Sequence, residues 1–389
     1  MGISKPYIAV IGAGAFGGWT ALHLLERGAH VTLVDAWGPG NSRSSSGGET
    51  RIMRGTYGPH QPYTELAARA LKLWQKYERR WKKTFLHRSG VLWIASDRDE
   101  AFERGSIEML KRARMKFEEL SVAKMKKRWP QINFDGIRWG IFEPECGYLD
   151  ARASCHAVVD AFVAQGGEYR QAQVLPDGLE TTPLRSLRLS DGSRLKADGY
   201  VFACGPWLGK LFPQTIGNLI SPTKQDVFFF GTPAGDARFT DIHMPVWADH
   251  HHCDRFIYGI PGNDRRGFKV ADDTRGPAFD PTSGERIVSE GTLRSIRKYI
   301  AFRFPALKNA PLIESRVCQY EQTPDSDFIL DRHRRMENVW LLGGGSGHGF
   351  KHGPAIGEMM TELILGEREP AERWRLSRFQ PRRLVRTLR

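Results

Sequence analysis

The feature that most constrains this chain is a glycine pattern set between two strands. Tyr7 to Ile11 is a short apolar run that ends in Gly12-Ala-Gly14-Ala-Phe-Gly17. Trp19, Leu22, Leu24 and Leu25 follow at roughly helical spacing, Gly28 stops the helix, and His30 to Val34 reads as a second strand ending at Asp35. Strand, glycine turn, helix and a strand closing on an acid make a β-α-β unit suited to a dinucleotide. Gly12 permits the tight turn, Gly14 lets backbone approach the pyrophosphate, and Gly17 lets helix pack on strand. The helix N-terminus meets the phosphates with its positive end, and Asp35 is placed for the ribose hydroxyls. The pattern leaves open whether the dinucleotide is FAD or NAD.

A chain of 389 residues can build two interleaved domains, each with its own core. Periodicity predicts helices over 66–81 and 104–129 with a strand over 90–95 between them, then a helix over 155–165 and short strands through Phe202. From Gln225 to Val270 short alternating strands, with a turn at Pro261-Gly262-Asn263-Asp264, predict an antiparallel sheet. The last unit runs from a strand, Val339 to Leu342, through a glycine-rich turn into a helix around Ile356 to Leu365. This order predicts an α/β fold. A Rossmann-type dinucleotide domain is expected over 1–85, 150–217 and 316–389, and an inserted α+β substrate domain with a mostly antiparallel sheet over 86–149 and 218–315.

Composition removes several function classes. No stretch approaches the roughly 18 to 20 apolar residues of a membrane span. Gly12, Gly14, Gly17 and Gly18 interrupt the apolar N-terminus, and no A-x-A-like site follows it, so a signal peptide is not expected. Cys146, Cys155, Cys204, Cys253 and Cys318 are scattered and never spaced C-x-x-C, which suits a reducing cytoplasm rather than a disulfide framework or a zinc site. The net charge of +13 could suit nucleic acid. Seven arginines, however, fall between Arg373 and Arg389 with no aromatic RNA motif, and read as a solvated basic tail. His250-His251-His252-Cys253 invites a metal reading, but successive strand residues face opposite ways, and a polar hairpin end is expected instead.

Three further segments carry a resemblance. Ser46-Gly-Gly-Glu-Thr50-Arg51-Ile-Met-Arg54, Cys318-Gln-Tyr320-Glu-Gln-Thr-Pro324-Asp325 and Gly345-Ser-Gly347-His348-Gly-Phe-Lys351 resemble the monomeric sarcosine oxidase family, which includes N-methyltryptophan and pipecolate oxidases. The likeness also covers Phe142-Glu-Pro-x-x-Gly147 and Tyr200-Val-Phe-Ala-Cys204-Gly205-Pro-Trp207, and so spans nearly the whole chain. It implies FAD, attached covalently through Cys318, with Arg51 beside the flavin and Val174, Gly205, Trp207, Gly347 and His348 among its contacts. It further implies that Arg54 and Lys351 hold a substrate carboxylate, that Tyr258 and Tyr320 border the substrate cavity, and that Lys269 speeds reaction with oxygen. One departure stands out: sarcosine oxidases carry a histidine four residues after that lysine, where this chain has Asp272-Asp273.

The resemblance implies an oxidase acting on the carbon–nitrogen bond of a small secondary amine or N-substituted amino acid. The products would be an imine and hydrogen peroxide. The acidic Asp273 leaves room for a glycated amino acid as substrate, and a flavin dehydrogenase with another acceptor or a non-catalytic redox sensor are the rival readings. Expected partners are the small amine and oxygen, with no nucleic acid, membrane or metal, and the chain is expected to work as a cytoplasmic monomer.

Overall fold

A computed structural model describes residues 5–96, 100–177, 179, 183–252, 255–262 and 266–380, with the side chains of His251 and His252 left aside. The opening strand, Tyr7–Ile11, sits inside a six-stranded sheet. Its neighbours are Gly199–Phe202 on one side and His30–Asp35 on the other, both parallel to it. Glu168–Gln171 and Val339–Gly343 continue the parallel array, and Ile329–Arg332 closes it antiparallel. Strands covered on both faces read as unbroken apolar runs, which is why Ile8, Ala9 and Val10 are all buried. The first helix, Ala15–Glu26, is apolar all round because it too is covered, packing against the closing helix Gly353–Ile364.

A second sheet has eight strands in the order Leu312–Gln322, Ser221–Phe230, Phe268–Asp272, Arg255–Ile260, Val246–His252, Val91–Ser96, Ile137–Glu143 and Glu118–Ser121. Its pairs are antiparallel except Val246–His252 against Val91–Ser96. The expected boundary at 316 falls inside the strand Leu312–Gln322, which pairs with Ser221–Phe230 along nearly its whole length. A small third sheet joins Thr50–Met53, Gly147–Asp150 and Leu86–His87. It lies at the junction and carries Arg51. One apolar cluster runs from Val10 and Trp19 through Trp74 to Trp93, Ile141 and Val246, so the two large sheets share a core.

The structure corrects two expectations. The single helix over 104–129 is two helices, Ala101–Arg112 and Val122–Arg128, with the strand Glu118–Ser121 between them. Arg114 at φ 54° ends the first, and the Ser121 hydroxyl caps the second by accepting from Lys124 N at 3.4 Å. The basic C-terminal stretch is not free where it is described. Arg373 pairs with Asp327 at 2.9 Å, Arg375 with Glu369 at 3.3 Å and Arg378 with Asp325 at 2.7 Å. Residues 381–389, with the other four arginines, lie outside the described residues, as do Cys253, Asn263 and Asp264. His250 packs among Trp93, Phe102 and Phe256, and no cluster of three metal-ligating side chains occurs among the described residues. None of the described helices is long and apolar enough to cross a membrane.

Candidate active site

The glycine turn behaves as its spacing predicts. Gly12 adopts φ +107°, and a Cβ there would come within 2.3 Å of the Ala203 carbonyl oxygen. A Cβ on Gly17 would come within 1.9 Å of the Gly12 oxygen, so helix and turn touch through bare backbone. Asp35 accepts from Ala13 N at 2.8 Å through one oxygen and from Trp37 N and Gly38 N through the other. Burial raises its pKa against the pull of those three amides. Around this turn opens a cleft of about 1220 Å³, continuous with solvent. Gly12, Gly14, Asp35, Arg51, Val174, Gly205, Trp207, Tyr320 and Gly347 all line it. At its rim Trp37 and Trp207 meet at a tilt, with ring centroids 4.9 Å apart. A cleft lined by the glycine turn and by the carboxylate that ends the second strand fits a dinucleotide.

Beyond Arg51 and Tyr320 the cleft gives way to a cluster of charged groups. Arg51 is fixed by Thr50 O at 2.8 Å and Ser45 O at 2.6 Å, and its Nη2 lies 3.6 Å from Cys318 Sγ. Cys318 and Tyr320, two apart on one strand, face the same way, as a period of two requires. Tyr320 donates to Asp273 Oδ1 at 2.6 Å. Burial pushes the Asp273 carboxyl up to about 6, against the pull of Tyr320, Arg54 and Lys351. Asp272 points elsewhere, toward Arg255 at 3.3 Å. Asp273 is therefore the acid of the cluster.

Three basic side chains besides Arg51 occupy this region. Lys269, almost wholly buried, donates to Thr50 O at 3.0 Å and lies 6.0 Å from the centre of the Tyr258 ring. Burial and then Arg51 push its ammonium down to about 7. Arg54 lies over the Tyr57 ring at 4.3 Å and donates to the Thr56 carbonyl. Lys351 donates to the Tyr57 hydroxyl at 2.6 Å and to His348 O at 2.7 Å, and burial followed by Arg54 holds it well below the ordinary ammonium range. Arg54 and Lys351 both lie against the Tyr57 ring, and among the described residues no carboxylate is hydrogen-bonded to either.

His348 does not join the cleft lining. Its ring contacts Ser326 O at 3.1 Å and the Tyr57 hydroxyl at 3.4 Å and stacks on Phe328, while burial and then Lys351 push it down to about 3. Sequence reasoning missed Tyr57, the hub that also meets His352 Nε2 at 2.8 Å. It quoted Glu143 without a role. Glu143 accepts from Gly55 N at 2.6 Å and from the Thr56 hydroxyl at 2.6 Å, and so holds the turn that presents Arg54. Glu321, likewise quoted without a role, is a lining residue of the cleft.

Residues 8–363 match the DAO family, described as FAD dependent oxidoreductase. The chain is 28% identical over 362 residues to a monomeric sarcosine oxidase of Bacillus sp. (strain B-0618), covering 92% of each chain. It is 25% identical over 391 residues to an N-methyl-L-tryptophan oxidase of Salmonella heidelberg, covering 96% of this chain and 99% of that one. Among solved structures, an L-proline dehydrogenase from P. horikoshii superposes with a TM-score of 0.83 at 22% identity, covering 96% of this chain and 98% of that one. This last likeness is one of fold.

Proposed function

Because the chain belongs to the DAO family of FAD-dependent oxidoreductases, we propose that it oxidises the carbon–nitrogen bond of a small, carboxylate-bearing secondary amine. The observation that carries this reading is the pair Arg54 and Lys351 against the Tyr57 ring, with Asp273 acting on both. A substrate carboxylate would favour the charged form of Lys351, which burial and Arg54 disfavour, and a guanidinium can bind it through two parallel hydrogen bonds. FAD, when bound, supplies the electron acceptor that takes a hydride equivalent from the carbon beside the amine nitrogen. Gly12, Gly14, Asp35 and the Trp37–Trp207 rim would hold its dinucleotide portion, and Arg51, Tyr320 and Gly347 its ring portion. Asp273 and Tyr320 favour an amine whose N-substituent is polar or cationic, since a carboxylate offers nothing to a bare methyl group. Lys269, held by Thr50, supplies a fixed positive charge where reduced oxygen would form.

The test is a peroxide-coupled comparison of N-alkylated amino acids with the same amines lacking the carboxylate. Removing that group is expected to lower kcat/KM roughly a hundredfold, about what a charge-assisted pair contributes. Equal turnover of the two sets would remove Arg54 and Lys351 from the substrate site.

The covalent link belongs to the same reading. Cys318 is half-buried, and the Arg51 guanidinium that lines the cleft lies 3.6 Å from its sulfur, which puts the sulfur at the cleft's inner end. Joining sulfur to the 8α-methyl carbon removes two electrons and two protons, and oxygen is the acceptor proposed. Yellow colour should stay with the acid-precipitated wild type and leave with the supernatant in Cys318→Ala. Freely extracted wild-type flavin would reject the link and leave FAD binding intact. Unpaired thiols at Cys146, Cys155, Cys204 and Cys318 support a reducing, cytoplasmic setting, with the single chain as the working unit.

A further inference from the structure

Glu321 follows Tyr320 on the strand Leu312–Gln322, and alternation turns its side chain away from the charged cluster and toward the loop Gly343–Gly349. It is 7% exposed and lines the same cleft as Gly345, Ser346 and Gly347. Its Oε1 accepts from Gly345 N at 3.1 Å. Its Oε2 has no hydrogen-bond partner among the described residues. A buried carboxylate oxygen without a donor is costly unless it carries a proton or meets a ligand. The titratable group that faces it is the thiol of Cys204, on the turn after Gly199–Phe202, which burial keeps uncharged. Burial pushes Glu321 itself up to about 7, with the Gly345 and Gly344 amides pulling the other way.

We propose that Glu321 is a direct contact of the bound flavin, and that its Oε2 takes up a proton from solvent when the flavin receives the substrate's two electrons. The inference rests on FAD filling the cleft and not on which amine is oxidised. Electrons arriving in the cleft raise its negative charge, which favours the neutral acid over the carboxylate. By linkage, a protonated Glu321 makes the flavin easier to reduce, and the effect fades as pH rises past its titration. The electrons come from the carbon–nitrogen bond and the proton from water, so the carboxylate becomes a carboxylic acid and nothing else is consumed.

The experiment is the flavin's midpoint potential against pH in the holoenzyme and in Glu321→Gln, which keeps the size and cannot ionise. Lys269 titrates in the same range, so the difference between the two proteins carries the test. Around neutrality the wild type should lose up to an additional tenfold in its reduction equilibrium per pH unit, about 30 mV for two electrons. The two curves should run parallel at acid pH and diverge above it, with Glu321→Gln the more readily reduced at high pH. Infrared difference spectra on reduction should show a new carboxylic-acid carbonyl band in the wild type, absent in Glu321→Gln and shifted in Glu321→Asp. Parallel potentials at every pH, or no such band in the wild type, would overturn the proposal. If Glu321→Gln fails to fold, the band and its shift in Glu321→Asp decide. Absence of flavin from the purified wild type would instead reject the reading of the cleft.

Discussion

At the scale of single residues, the buried charges divide the labour. Lys269 is tied to Thr50, whereas Arg54 and Lys351 are gathered at Tyr57, so removing Lys269 should spare substrate oxidation. Lys269→Met is expected to slow reoxidation of the reduced flavin about a hundredfold or more, the usual cost of losing a preorganised charge at a developing anion. Anaerobic reduction should change far less. The charged form is the active one, so the wild-type rate of reoxidation should fall as pH rises through the lysine's titration. That titration lies at about 7 without cofactor, and the reduced flavin's negative charge should draw it upward. The rate in Lys269→Met should be flat over the same range. Stopped-flow reoxidation at several pH values checks both statements, and an unchanged rate would remove Lys269 from the oxygen reaction. The role proposed for Asp273 is in preference rather than rate. Asp273→His should move the substrate ranking toward simple N-methyl amino acids, whereas Asp272→His should leave it alone because Asp272 belongs to Arg255. An unaltered ranking in Asp273→His would reject this account of specificity.

At the scale of elements, the site is made where the glycine loop Gly343–Gly349 meets the strand Leu312–Gln322. Gly347 has φ +80°, and a Cβ on it would approach the Tyr320 ring to 2.5 Å. Gly347→Ala therefore combines a left-handed backbone, worth ~1–2 kcal/mol, with a displaced Tyr320. Lower flavin content and a lower Tm are expected, and a variant with wild-type values of both would show that loop and strand are not tightly joined. Elements of this kind differ in how well the sequence exposes them. The β-α-β unit was legible because buried parallel strands are continuous apolar runs and the glycine spacing marks the turn between them, even though the contact that requires Gly12 is with the distant Ala203. The helix predicted over 104–129 was misread because Arg114 adopts an unmarked left-handed conformation and Ser121 acts as a cap. Tyr57 and Lys351, which hydrogen-bond across 294 positions of sequence, could be joined only by the fold. The unpaired oxygen of Glu321 is likewise a fact of burial, and no local pattern announces it.

At the scale of the whole molecule, the two large sheets share a core and meet at the small sheet bearing Arg51. The dinucleotide cleft thus ends against the cation cluster, and binding at one end is coupled in space to charge at the other. The resemblance carried by three separated segments already implied FAD and an amine substrate; the geometry adds which acid and which cations face one another. The central proposal is that Arg54 and Lys351 select a carboxylate-bearing amine for oxidation. The direct measurement is anaerobic mixing of the purified holoenzyme with an N-substituted amino acid and, separately, with the matching amine that lacks the carboxylate. The account predicts rapid bleaching of the flavin by the amino acid, slow bleaching by the amine, and recovery of colour with stoichiometric peroxide when air is admitted. Flavin that no N-substituted amino acid bleaches, or that both members of the pair bleach equally fast, would contradict it.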